Sequence, residues 1–220
     1  MSRDVFALIV SFVYVFAMIG LAEGMRRWRS YSVEFTRKFI HIAVGMWSYG
    51  TVLLFAHRTW AVIPPIAFIA INVFSYWRGT FQAMETGQKG QLGTIYFPIS
   101  FAIIVWLLWD SPHLLVASLM PMTWGDALAA VVGQRFGQRR YVLLGYTRSQ
   151  EGSGVMFISS WIATLIPLLL LSPLPLPWSS IVWSAAVTAL GATLIEAISP
   201  WGIDNLTVPA ISAVILTAML

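Results

Sequence analysis

What most limits how this chain can fold is the recurrence of apolar runs of nearly constant length, separated by short polar breaks. They fall at about residues 5 to 24, 36 to 56, 60 to 77, 94 to 109, 113 to 134, 154 to 172, 179 to 199 and 205 to 220. A helix needs roughly 20 residues to cross about 30 Å of hydrocarbon, and there its backbone polar groups must be satisfied within the segment itself. The runs therefore predict eight helices. They lack the alternating apolar and polar residues of barrel strands, so the expected fold is an all-α polytopic transmembrane bundle, one membrane domain over residues 1 to 220. Composition agrees, since 58% hydrophobic against 10% charged residues leaves too little polar surface to cover a soluble domain. The second run begins with Arg37, Lys38 and His41 and the eighth is short, so these two are the candidates for incomplete spanning.

There is no cysteine, which excludes disulfide and thiolate chemistry. The first run is expected to remain as a helix, because Arg26, Arg27 and Arg29 follow it, whereas a cleaved leader has its basic residues in front. With the N-terminus outside, the loops after the first, third and fifth helices carry eleven of the thirteen basic residues, which is the positive-inside pattern. Seven of the nine acids, Glu23, Glu34, Glu85, Asp126, Glu151, Glu196 and Asp204, fall on or near the same face. Lipid attraction explains arginines but not carboxylates; mixed charge at one surface suits a site for an anionic substrate and its metal. A bacterial plasma membrane, with the site facing the cytoplasm, is the expected location.

Four clusters carry that charge. In "TWGDALAAVVGQRFGQRR", residues 123 to 140, Asp126 sits within an apolar segment, where a carboxylate is costly unless it meets a cavity, a cation or a partner. Asp126, Ala130, Gly133 and Gly137 recur at helical spacing, making a nearly bare stripe that serves either close helix packing or a ligand's approach to the backbone. Arg139 and Arg140 follow, and "YTRSQEGSG", 146 to 154, reads as a polar loop in which Arg148, Ser149, Gly152 and Ser153 offer donors to phosphate. Glu151 there binds a metal or orients an arginine. In "EFTRKFIHIAVG", 34 to 45, Arg37, His41 and Gly45 share a helical face beside Lys38, which suits a polyphosphate or an interfacial snorkelling pair with a hydrogen-bonded histidine. "GQKGQLGTIYFP", 87 to 98, runs a glycine-rich loop containing Lys89 into a helix start. In "EAISPWGIDNLTVP", 196 to 209, Glu196, Asp204 and Asn205 supply oxygens for a hard cation, unless Asp204 and Asn205 only cap the last helix.

In this order and on one face, the clusters resemble the polyprenol kinase family that includes dolichol kinase and phytol kinase, distantly related to the CDP-diacylglycerol synthases. The resemblance runs from about Arg37 to Pro209. "GDALAAVVGQRFGQRR" with "RSQEGS" looks like the family's cytidine-nucleotide region, and "RKFIH", "LGTIYF" and "EAISPWGIDNLTVP" match its other signatures. Arg148 stands where the family commonly has lysine. The resemblance implies phosphoryl transfer from CTP, or another nucleoside triphosphate, to the hydroxyl of an isoprenoid alcohol, with membrane lipid around the enzyme and no nucleic-acid partner. Such chemistry needs mainly positioning and charge neutralisation. The expected catalytic residues are Asp126, His41 and Lys38, with His41 or Asp126 as the base. Asp126, Glu196 and Asp204 are the expected ligands of Mg2+. Arg37, Lys38, Lys89, Arg139, Arg140 and Arg148 would hold phosphates, and Gly133, Gly137, Glu151, Gly152 and Ser153 would line the nucleotide site. A lipid-phosphate cytidylyltransferase, a diacylglycerol kinase or a transporter using Asp126 are the rival readings; the charges' confinement to one face disfavours the transporter. No motif marks a pocket for the lipid tail.

Overall fold

A computed structural model describes residues 1–29, 31–80, 92–173 and 175–220. The eight expected helices are present within these residues, two of them subdivided. They are α1 (Arg3–Arg29), α2 (Val33–Leu54), a third made of α3 (Arg58–Ala61) and α4 (Ile63–Arg78), and α5 (Gly93–Leu107). The fifth consists of α6 (Pro112–Met120), a π-helical turn (Pro121–Asp126) and α7 (Ala127–Phe136), and the last three are α8 (Gln150–Leu170), α9 (Trp178–Ile198) and α10 (Asp204–Met219). The pieces Arg3–Trp28, Arg58–Arg78, Pro112–Phe136, Gln150–Leu170 and Trp178–Ile198 are long and apolar enough to cross a membrane. Gly93–Leu107 and Asp204–Met219 are apolar but shorter. The chain is an integral membrane protein.

Successive helices run back and forth between two poles. At one pole Arg3 donates from Nε to the Leu54 carbonyl at 2.9 Å, and Asp4 Oδ1 accepts the Ala56 N–H at 2.7 Å, tying the start of α1 to the end of α2. Phe55, Val62, Leu108 and Leu171 gather in the core near that pole. The charged groups gather at the other. The inside of the bundle is close-packed around Leu115, Leu119, Met120, Met122 and Met156, all buried. Outward faces carry Ile158, Ile162, Leu170, Trp183, Leu194 and Val214, all exposed. Water would penalise such a surface, and a hydrocarbon environment does not.

Small residues let the helices approach. A Cβ on Gly45 of α2 would overlap Thr123 of the π turn, so this glycine brings α2 against the point where the fifth helix is locally widened. That turn begins at Pro121, which has no N–H to give to the helical ladder, and ends on Asp126. π turns inside α-helices recur at functional sites.

The polar stretch after α7 departs from expectation. It forms a hairpin of β1 (Arg140–Leu143) and β2 (Tyr146–Ser149), with Arg140 opposite Ser149 and Leu143 opposite Tyr146. Leu144 (φ 49) and Gly145 (φ 83) make the two-residue turn, both left-handed as a type I′ turn requires. α8 then starts at Gln150, four residues earlier than the apolar run suggests. Ser149, extended at φ −124 and ψ 147, caps it by accepting the Gly152 N–H at 3.1 Å, and Glu151 adds negative charge to the first turn.

Candidate active site

At the charged pole the end of the π turn, α7, the hairpin, the start of α2 and the α9–α10 connection surround a cleft of about 430 Å³. Its acidic floor comes from three helices. Carboxylate oxygens of Asp126, Glu196 and Asp204 all lie within 4.8 Å of one another. These positions are far apart in sequence, so this grouping is produced by the tertiary fold.

Two cations are built against that floor. Lys38 Nζ donates to Asp126 Oδ2 at 2.6 Å, and both side chains are buried. Arg148 reaches from β2 to Glu196 Oε1 at 3.1 Å and donates to the carbonyls of Glu196 and Ser199 at 3.3 Å each, which docks the hairpin on the end of α9. Asp204 has no cationic partner among the described residues; its Oδ1 accepts from the Asn205 N–H at 2.9 Å and the Asn205 amide at 2.8 Å. Arg37, on the rim, pairs with Glu34 at 2.7 Å. The Nε atoms of Arg37 and Arg148 are buried without a hydrogen-bond partner, leaving donor capacity in a cleft both residues line. The cleft thus has four basic side chains, Arg37, Lys38, Arg140 and Arg148, facing the acids Glu34, Asp126, Glu196 and Asp204. Because its own charges balance, taking up a highly charged anion calls for a further cation, and three converging carboxylates suit a hard divalent one.

Of the other candidates, Gly133, Gly152 and Ser153 line the cleft. Within the bare stripe, Asp126, Ala130 and Gly133 line the cleft, and Gly133 also packs: a Cβ on Gly152 would lie 2.9 Å from Ser149 Oγ and 3.3 Å from the Gly133 Cα, so α7 and the start of α8 touch through their glycines. Gly137 caps α7 and abuts Ser149 outside the cleft lining. Ser153 Oγ is 2.7 Å from the Tyr141 hydroxyl. Glu151 accepts the Arg139 backbone N–H at 3.2 Å, bracing the residue before the hairpin, and neither Glu151 nor Arg139 lines the cleft. Lys89 lies outside the described residues.

His41 stands apart. Its Nε2 is 2.9 Å from the Met122 carbonyl and 3.9 Å from Asp126 Oδ2, and its ring packs on Phe97 at 4.6 Å. A carbonyl only accepts, so Nε2 carries the proton and Nδ1 is the free base. His41 lines a second, apolar groove, not the cleft; Arg37 and Asn205 line both and mark where they meet. Sequence reasoning missed Asn72 of this groove. It is buried, its amide donates to the Thr94 carbonyl at 2.7 Å, and its Oδ1 has no partner. An asparagine within the apolar run 60 to 77 was the available signal.

Comparisons with known proteins bear on the same chain length. The phytol kinase of Synechocystis sp. is 34% identical over 93% of this chain and 88% of its own. A probable chloroplastic phytol kinase of Triticum aestivum is 25% identical over 94% of this chain and 74% of its own, and one of Oryza sativa subsp. japonica is 26% identical over 94% and 71%. No family model matches the chain, and no solved structure matches it significantly.

Proposed function

The chain belongs to the phytol kinase family, and from that premise we propose that it transfers the terminal phosphoryl group of CTP to the hydroxyl of an isoprenoid alcohol at the cytoplasmic membrane face. At the coarser level the chain is a phosphotransferase with an alcohol acceptor. The observation that carries the finer reading is the convergence of Asp126, Glu196 and Asp204 beneath four basic side chains in one cleft.

The donor set fits Mg2+: three carboxylates within 4.8 Å, one of them without a cationic partner. Asp126, Glu196 and Asp204 would hold it, and when bound it would neutralise charge on the donor's phosphates. Arg37, Lys38, Arg140 and Arg148 hold phosphate oxygens, the guanidinium groups through paired N–H bonds. Lys38 also fixes Asp126 in place by its short bond. In the transfer the alcohol oxygen bonds to the γ-phosphorus as the bond from that phosphorus to the diphosphate oxygen breaks. The hydroxyl proton passes to Asp126 or to Nδ1 of His41. The donor stays in the polar cleft and the alcohol's hydrocarbon stays at membrane depth.

The test uses purified protein in detergent with magnesium, γ-labelled CTP, ATP or UTP in parallel, and a panel of phytol, geranylgeraniol, farnesol, long polyprenols and diacylglycerol. Label entering an alcohol is the expected result, fastest from CTP. Release of pyrophosphate with lipid phosphates, and no label in any alcohol, would overturn it in favour of a cytidylyltransferase.

A further inference from the structure

The apolar groove that meets the cleft at Arg37 and Asn205 runs between α1, α2, α4 and α5. At its mouth are His41, Asn72 and Thr94; its walls include Ile19, Ile40, Val44, Phe68 and Phe101; its far end is closed by Thr51, Ala61 and Pro64. Along α2, from Arg37 to Thr51, that is fourteen residues or about 21 Å. The groove therefore descends from the charged pole through roughly two-thirds of a 30 Å hydrocarbon layer.

The mouth is polar in one specific respect. Asn72 spends its amide N–H on the Thr94 carbonyl, which fixes the orientation of the group and leaves Oδ1 as an acceptor with no donor among the described residues. A buried acceptor in that state costs stability unless a ligand completes it. The groove thus offers an acceptor at the end nearest the cleft and mostly apolar side chains beyond.

We propose that this groove holds the single hydrocarbon tail of the alcohol, with its hydroxyl donating to Asn72 Oδ1 at the mouth before transfer and releasing that bond to the base during it, and its tail end lying toward Ala61. The inference rests on the alcohol-kinase reading and deepens it by locating the acceptor's tail. Moving a tail from lipid into a protein groove gains little hydrophobic energy, because lipid is as apolar as the groove. The groove's contribution is orientation: it keeps the hydroxyl beside the cleft and selects tail length over the depth available.

Tyr14 of α1 donates to the Ala43 carbonyl at 2.9 Å and stacks on Trp47, which places its neighbour Val15 about midway down the groove. Val15→Phe is therefore expected to lower the ratio of kcat/KM for phytol to that for geraniol at least tenfold. Asn72→Ala is expected to raise KM for every alcohol about tenfold while leaving that ratio unchanged. A phytol analogue with a diazirine at its tail end, used on the unsubstituted protein, is expected to label residues lining the far half of the groove, with excess phytol suppressing the label. An unchanged ratio in an active Val15→Phe protein overturns the inference, as does labelling confined to the outward faces of α8 and α9 or insensitive to phytol, which would make the occupant bilayer lipid. If the unsubstituted protein phosphorylates no alcohol, it is the proposed function that fails.

Discussion

The polar cleft and the apolar groove share Arg37 and Asn205 but are built on opposite rules. The cleft depends on a few charged atoms placed within hydrogen-bond distance of each other by helices distant in sequence: Lys38 with Asp126 at 2.6 Å, Arg148 with Glu196 at 3.1 Å. The groove depends on shape, and interchangeable aliphatic and aromatic side chains build it. A buried charge that loses its partner is strongly penalised, whereas an apolar wall tolerates volume-conserving change. Substitution should therefore be harsh in the cleft and graded in the groove.

The largest effect is expected at Asp126. Asp126→Asn removes a carboxylate from the three-acid cluster and strands the buried Lys38 ammonium, costing about 3–5 kcal/mol of stability and abolishing detectable transfer. The two losses separate in the double variant. Lys38→Met with Asp126→Asn should recover most of the lost thermal stability and none of the activity. If the double variant regains phosphorylation, the cluster is structural, and the contrast between cleft and groove collapses.

Gly45→Val comes next. Its side chain would overlap Thr123, forcing α2 away from the π turn and lengthening the Lys38–Asp126 contact. Overpacking of this kind costs about 1–3 kcal/mol, and a fall in both melting temperature and kcat is expected. Thr123→Ala should rescue both in part, because it removes the atoms in conflict. Rescue of stability without kcat would mean that the approach of α2 matters only for packing.

A smaller and more selective effect is expected for Arg148→Lys. The arginine makes three contacts to the end of α9 with one nitrogen and keeps a buried Nε free. Lysine retains the charge and loses the planar fork, and loss of one charge-assisted bond is worth about 1.5–3 kcal/mol. Nucleotide KM should rise by roughly tenfold or more while the ranking of alcohols stays as it was. A changed alcohol ranking would show that the two regions are not separable.

Legibility in the sequence follows the same division. Asp126, Glu196 and Asp204 were recognisable because a carboxylate in or beside an apolar run has few inexpensive explanations, although their approach to within 4.8 Å is a tertiary fact. The helix count followed from run lengths, but not the π turn, whose only local sign is Pro121. Gly133 and Gly152 were visible as small residues, and both uses of a small residue look alike until a neighbour is placed; here each is the other's neighbour. The groove was illegible, since Val15, Ile40 and Phe68 differ in no local way from lipid-facing residues. The hairpin was hidden by its polar flanks, although "YVLLGYT" sets aromatic and β-branched residues on both sides of a Leu-Gly turn.

That turn supports the smallest prediction. Leu144 adopts φ 49, a region where a side chain branched at Cγ gains no compensating hydrogen bond and asparagine does. Leu144→Asn should stabilise the hairpin by up to about 1 kcal/mol, within the cost of a left-handed residue. Slower amide exchange at Val142 and Thr147 would report it. Since β2 carries Arg148 onto Glu196 and Ser199, a firmer hairpin should tighten nucleotide binding slightly and leave the phytol to geraniol ratio untouched. Weaker binding would instead indicate that the exposed Val142 and Leu144, 67% and 73% accessible, hold the hairpin at the membrane surface, so that the cleft borrows part of its order from the lipid that surrounds the groove.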